Sequence, residues 1–138
     1  METHAIVAQW EGDHLKLDVP TQALNMTCAA FAYFFGIPDE NVTISSPYLG
    51  GGFGSKAIPI GPYILAVLAA RTAGRPVKLM LTRQQMFGPT SHRAATRQRL
   101  RLGIDDANAL TVIDHDSLSA TSSFEDFMEP ASNASQGL

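Results

Sequence analysis

A chain of 138 residues, 45% hydrophobic and 17% charged, has apolar material for one core of ordinary size, so a single domain is the expectation. A net charge of −3 at pH 7 argues against a protein whose main business is holding nucleic acid, and a single cysteine is neither half of an internal disulfide nor an iron–sulfur ligand set. The most apolar run, residues 57–70, is broken by Pro59, Gly61 and Pro62 and is too short to span a bilayer, and the first residues lack the basic-then-apolar pattern of an export signal.

In chain order, residues 5–10 and 15–19 flank Glu11-Gly12-Asp13, the composition of two short strands joined by a tight turn. Thr21 is placed to cap a helix whose apolar positions Leu24, Cys28, Phe31, Phe34 and Phe35 face a core, and Gly36 followed by Pro38 stops it. Cys28, among Met26, Ala29 and Ala30, reads as a small buried apolar residue. Asp39-Glu40-Asn41 turns the chain into a strand over 42–45. After a glycine-rich stretch, a helix over 62–72 opens on a proline and is apolar nearly all round, which predicts burial on most sides. Gly74 ends it and residues 77–81 form the next strand, so strand, loop, helix and strand follow one another as in a parallel crossover. Thr82 caps a short helix through Phe87, and 97–104 with 110–118 form a second hairpin around Asp105-Asp106-Ala107-Asn108. The fold class is α/β in the broad sense (α+β), a mixed sheet with helices packed on it.

The stretch Tyr48-Leu49-Gly50-Gly51-Gly52-Phe53-Gly54-Ser55-Lys56 carries the strongest functional signal. Glycines around one aromatic residue keep side chains away from the backbone and permit conformations in which successive N–H groups converge on an anion. A nucleoside-triphosphate loop is excluded because Lys56 is followed by Ala57 instead of Ser or Thr. A dinucleotide fingerprint has Ser55 where a third small glycine-like residue belongs, and residues 71–75 offer no carboxylate for a ribose. Taken alone, the glycines are equally compatible with a turn that merely lets two elements pack closely.

Read with its neighbours, this loop resembles the Gly-Gly-Gly-Phe-Gly-Gly-Lys loop of the large, molybdopterin-binding subunit of the xanthine dehydrogenase and aldehyde oxidase family, with Ser55 replacing the last glycine. The resemblance covers nearly the whole chain. It runs through Met1-Glu2-Thr3-His4-Ala5, Thr21-Gln22, Gly36-Ile37-Pro38-Asp39-Glu40-Asn41-Val42, Gly74-Arg75-Pro76-Val77-Lys78-Leu79, Leu81-Thr82-Arg83-Gln84-Gln85-Met86-Phe87, His92-Arg93-Ala94-Ala95-Thr96 and Ser123-Phe124-Glu125-Asp126-Phe127-Met128-Glu129-Pro130. It implies that Gly51, Gly52, Phe53, Gly54 and Ser55 bind the cofactor, with Phe53 the aromatic nearest the metal's ligands. The implied cofactor is molybdenum–molybdopterin in its cytosine dinucleotide form, because residues 50–55 and 124–130 lean toward bacterial aldehyde oxidoreductases. Iron–sulfur clusters and FAD are implied on other subunits or domains, so the implied partners are an iron–sulfur subunit, an FAD subunit and the rest of the large subunit, with no nucleic acid and no membrane. The implied activity is hydroxylation of an aldehyde, or a related carbonyl or N-heterocycle such as xanthine, with water-derived oxygen. The family's catalytic glutamate belongs to a motif absent here, so neither Glu125 nor Glu129 takes its place and no catalytic or metal-ligating residue is expected. The family's subunit is several times longer and Met1 falls within a resembling segment. Residues 1–130 are therefore expected to be part of the cofactor-binding domain and 131–138 a severed linker, without turnover on their own and with the compartment undetermined.

Other residues read more plainly. Glu2 and His4, considered without the resemblance, are an exposed terminus, and Lys56 either balances cofactor charge or is solvated. Arg97, Arg99 and Arg101 alternate with Gln98, Leu100 and Leu102, the pattern of a strand's solvated face. Asp114-His115-Asp116 is not an acid–base cluster, because on a strand His115 points away from both aspartates. His4, His14, His92 and His115 have no metal-site spacing, no serine-nucleophile elbow is present, and the short glycosylation sequons at Asn25, Asn41 and Asn133 carry no weight alone.

Overall fold

The computed structural model describes residues 2–91, 94–121 and 123. Met1, His92, Arg93, the resembling residues 124–130 and the linker expected at 131–138 lie outside the described residues. The chain divides into two units, Met1–Ser91 and His92–Leu138.

The first unit is built on a four-stranded mixed sheet. Strands β1 (Ala5–Glu11) and β2 (His14–Asp18) form the expected hairpin, with Glu11 opposite His14 and Gly12 in the left-handed conformation that closes so tight a turn. Alternation decides which face is buried. Ile6, Ala8, Leu15 and Leu17 are nearly inaccessible, whereas Lys16 and Asp18 face solvent. Strand β3 (Val42–Ser45) runs parallel to β2 and β4 (Val77–Met80) antiparallel to β1, giving the order β3-β2-β1-β4. Strands β3 and β4 therefore point the same way, as the crossover pattern predicts, yet they are not neighbours. The hairpin occupies the centre of the sheet and the crossover passes over it.

Helix α1 (Leu24–Phe35) ends on Gly36 in the left-handed conformation, as read from the sequence, but its start differs. The N-cap is Ala23 without a side-chain cap; the Thr21 hydroxyl instead accepts the Ala23 N–H at 3.1 Å and pairs with the Thr27 hydroxyl at 2.7 Å. Phe31 is fully buried and stacks on Phe35, which meets Trp10 edge-on at 5.7 Å, whereas Leu24 and Phe34, both expected in the core, are about half exposed. The helix shows the core a narrower stripe than its composition suggests. Helix α2 (Gly61–Ala73) buries Tyr63, Ala66, Val67 and Ala70 against β1 and β4, and Trp10 donates its indole N–H to the Val67 carbonyl at 3.1 Å. Its outer face leaves Leu65 and Leu68 exposed, so it is not buried on most sides within this unit. The helix expected from Thr82 shortens to a 3₁₀ turn over Gln85–Phe87, held because the Thr82 hydroxyl accepts the Gln85 N–H while the Gln85 side chain accepts the Thr82 N–H.

The second unit is a hairpin of β5 (Thr96–Ile104) and β6 (Leu110–Ser119). Asp105 accepts the Ala107 and Ala109 N–H groups at the turn. Register places Arg99 opposite Asp116, and Arg101 bonds Asp114 at 2.7 Å, while His115 stands on the other face near Gln98. The separation of His115 from the two aspartates is as read from the sequence. The leucines between the arginines are exposed too, so both faces of this hairpin are open within its unit.

Candidate functional site

The glycine stretch leaves the edge strand β3 and folds into consecutive turns before α2. Gly51, Phe53 and Gly54 all have positive φ (46°, 51° and 85°), and Phe53 does so without being glycine. A bulky residue in that region is strained by about 1–2 kcal/mol, so the surroundings must hold it there. Gly52, between Gly51 and Phe53, has no positive φ, and such alternation swings successive N–H groups toward one side.

Hydrogen bonds around the loop divide its amides into two sets. The Gly50 N–H donates to Glu2, the Gly54 and Lys56 N–H groups both donate to the Gln22 side-chain oxygen at 2.9 and 3.2 Å, and the Ser55 N–H donates to the Gly52 carbonyl at 3.0 Å. Those of Gly51, Gly52 and Phe53 find no partner among the described residues. Three adjacent free donors beside an exposed aromatic ring, 82% accessible at Phe53, fit an anionic ligand rich in hydrogen-bond acceptors.

Behind the loop lies a set of polar side chains that sequence reasoning did not foresee. Lys56 is neither solvated nor turned toward a ligand: its side chain is fully buried and its ammonium pairs with the Glu2 carboxylate. The Lys56 hydrogen bond is the main reason the Glu2 carboxyl lies below its ordinary range, with the Gly50 N–H adding to it and partial burial opposing both. Glu2 also donates its own N–H to the Gly50 carbonyl at 3.1 Å, so the segment before β1 grips the start of the loop twice.

His4, expected at an exposed terminus, is fully buried. Its Nε2 donates to the Ser55 carbonyl at 2.9 Å, and Nδ1 lies 3.0 Å from the Met86 sulfur. The Ser55 hydroxyl lies 3.4 Å from the same Nε2. Tyr63 packs against the His4 ring with its hydroxyl buried and without a well-formed hydrogen bond among the described residues, and desolvation pushes its pKa up strongly, against the weaker opposing effect of the Ala5 backbone. Thr21 completes the fastening, since its hydroxyl and the Gln22 N–H both donate to the Lys56 carbonyl, at 3.2 and 3.0 Å.

The structure thus brings Gly51, Gly52, Phe53, Gly54 and Ser55 together in one turn and adds Glu2, His4, Gln22, Lys56 and Met86 as its supports. Only membership of the resembling segments marked those supports in the sequence; pairings across 32 to 82 residues leave no local pattern. Cys28 stays apart, half-buried beneath the carbonyls of Asp39 and Val42, and burial followed by the Asp39 charge raises its pKa. Among the described residues no group of His, Cys, Asp and Glu is arranged to hold a metal ion, and no helix is long and apolar enough to cross a membrane.

Residues 1–136 match the family described as the molybdopterin cofactor-binding domain. The chain is 44% identical over 119 residues to the aldehyde oxidoreductase molybdenum-binding subunit PaoC of Escherichia coli (strain K12), covering 86% of this chain and 16% of that protein. It is 30% identical over 117 residues to xanthine dehydrogenase/oxidase of Mus musculus, covering 83% of this chain and 9% of that one. Among solved structures, quinoline 2-oxidoreductase from Pseudomonas putida 86 superimposes with a TM-score of 0.71 at 31% identity, over 85% of this chain and 15% of that chain. The chain therefore spans 16% or less of the length of each of these relatives.

Proposed function

This chain belongs to the molybdopterin cofactor-binding domain family of the xanthine dehydrogenase and aldehyde oxidase group, and from that premise we propose that its glycine loop holds the molybdenum cofactor of an aldehyde-oxidising enzyme. One observation carries the reading: three successive backbone N–H groups, Gly51 to Phe53, have no partner among the described residues and sit on one turn beside an exposed ring. With Lys56 neutralised by Glu2, the loop offers an anion oriented amide dipoles instead of a side-chain cation. Gly54 and Ser55 complete the turn, and the exposed Phe53 ring would pack against the bound group and shield it from water. When bound, the cofactor supplies the two-electron chemistry by which water-derived oxygen is introduced into the substrate.

The finer points rest on the relatives. Likeness to an aldehyde oxidoreductase subunit at 44% identity favours an aldehyde substrate, and the cytosine dinucleotide form of the cofactor is proposed from the resemblance of residues 50–55 and 124–130 to bacterial aldehyde oxidoreductases. Likeness to quinoline 2-oxidoreductase and to xanthine dehydrogenase/oxidase supports an N-heterocycle as the second reading. Residues 1–130 work as part of a larger cofactor-binding domain, and electrons leave through iron–sulfur and FAD groups on other subunits or domains. The catalytic base lies outside this chain, which has no turnover on its own.

The test is elemental molybdenum together with mass spectrometry of the released pterin, on the protein purified with its co-purifying subunits, wild type against Gly51→Val. Molybdenum and a pterin nucleotide in the wild type, lost in a folded variant, are expected; a well-folded wild type without molybdenum refutes the proposal.

A further inference from the structure

A Cβ placed on Gly52 would lie 2.3 Å from the Gln22 side-chain oxygen, 2.6 Å from its Cδ and 3.0 Å from its Cγ. The backbone at Gly52 does not itself require glycine, since its φ lies outside the left-handed region. What occupies the missing methyl's place is the amide oxygen that accepts the Gly54 N–H at 2.9 Å and the Lys56 N–H at 3.2 Å. Those bonds turn the Gly54 and Lys56 amides inward, while the Gly51, Gly52 and Phe53 amides remain free.

We infer that Gln22 is a positioning residue that clasps the loop from behind, and that Gly52 is glycine to admit the Gln22 amide and not to admit a ligand. The clasp sorts the loop's donors: it engages the two whose reversal would scatter the cluster and so fixes the direction of the remaining three. Its consequence for cofactor retention rests on the proposed function above; the clasp itself does not. A bulky substitution at Gly52 would thus empty the site by breaking the loop's support, which loss of cofactor alone would not reveal.

Four variants test this in the protein purified with its co-purifying subunits: Gln22→Ala, Gln22→Glu, Gly52→Ala and the double Gln22→Ala/Gly52→Ala. Peptide-resolved hydrogen exchange across residues 50–56 is read beside molybdenum content. Gln22→Ala and Gly52→Ala are each expected to speed exchange of this peptide about fivefold, the loss of one net hydrogen bond of ordinary strength, and to lower molybdenum content. The double variant is expected to match Gln22→Ala, because the clash is gone once the side chain is. Gln22→Glu is expected to keep exchange slow, since a carboxylate oxygen accepts the same two N–H groups. Multiplied effects in the double variant, about twenty-five-fold, or exchange in Gln22→Glu as fast as in Gln22→Ala, overturn the inference. A Gly52→Ala protein that fails to fold leaves the decision to the two Gln22 variants. Absence of molybdenum from the wild type removes the cofactor reading, while the exchange comparison still decides the clasp.

Discussion

Glu2→Ala and Lys56→Met attack one ion pair from opposite sides, and the structure makes their costs unequal. The Lys56 side chain is fully buried while that of Glu2 is 42% exposed. Removing one partner of a buried pair costs about 3–5 kcal/mol, chiefly because the other charge stays behind without compensation. In Glu2→Ala the residue left behind is the buried ammonium. Water entering the half-open Glu2 position trims that cost to about 2–3 kcal/mol, and losing the acceptor for the Gly50 N–H adds about 1 kcal/mol. In Lys56→Met the apolar stem is conserved, and the carboxylate keeps the Gly50 N–H and solvent, so the loss is about 1 kcal/mol. The gap of about 2–3 kcal/mol is a factor of about thirty to one hundred and fifty in the unfolding constant. Equilibrium urea denaturation of both variants at pH 7 measures it. Acid should narrow it: the folded Glu2 carboxyl lies below its ordinary 4.5, so the pair's contribution is complete above that pH and is lost as pH falls through the folded value. A Lys56→Met protein as unstable as Glu2→Ala at pH 7 would refute the reasoning that burial of the ammonium dominates.

The other predictions concern packing, backbone and thiol. Phe31→Ala should cost about 3–5 kcal/mol in urea denaturation and Phe34→Ala less than about 1 kcal/mol, because the first ring is fully buried and the second about half exposed. Equal costs would show that both rings are core. Gly54→Ala, at φ 85° with open space around the added methyl, should lose about 1–2 kcal/mol through backbone strain alone, and a Gly54→Asn variant should recover part of it. Cys28, its thiol pKa raised by burial and by Asp39, should react with iodoacetamide more slowly than a free thiol at pH 8, and Asp39→Asn should speed the reaction. Reaction at the free-thiol rate would contradict that environment.

Local chemistry was legible in the sequence and long-range chemistry was not. The strands were announced by composition and flanking turn residues, with period-two alternation at residues 97–102, and Gly36 and Gly74 marked both helix ends, since each adopts the left-handed cap. The helix faces were overread: Leu24, Phe34, Leu65 and Leu68 are as apolar as their buried neighbours, and composition cannot separate a face covered within the unit from one left open. The cap assigned to Thr21 failed because its hydroxyl is engaged by Lys56 and Thr27. At the site, the glycines marked the tight turns of the loop, while its reading as a cofactor loop came from the resemblance. Its supports were hidden because burying His4 or Lys56 depends on partners more than fifty positions away.

The fastening of the loop also sets an order of assembly. His4 reaches its buried place against Ser55 once β1 has found β4, since the Leu81 N–H donates to the His4 carbonyl at 2.9 Å and Met86 closes over the His4 ring. Contacts of such separation close the longest loops of chain and come late in folding. The His4 side of the fastening is thus expected to close last, and pulse-labelled refolding should find the β1–β2 hairpin protected before the loop amides. A finished turn is in this sense a certificate that the sheet behind it is complete, so an anionic guest meets its three donors only on a chain that has already folded.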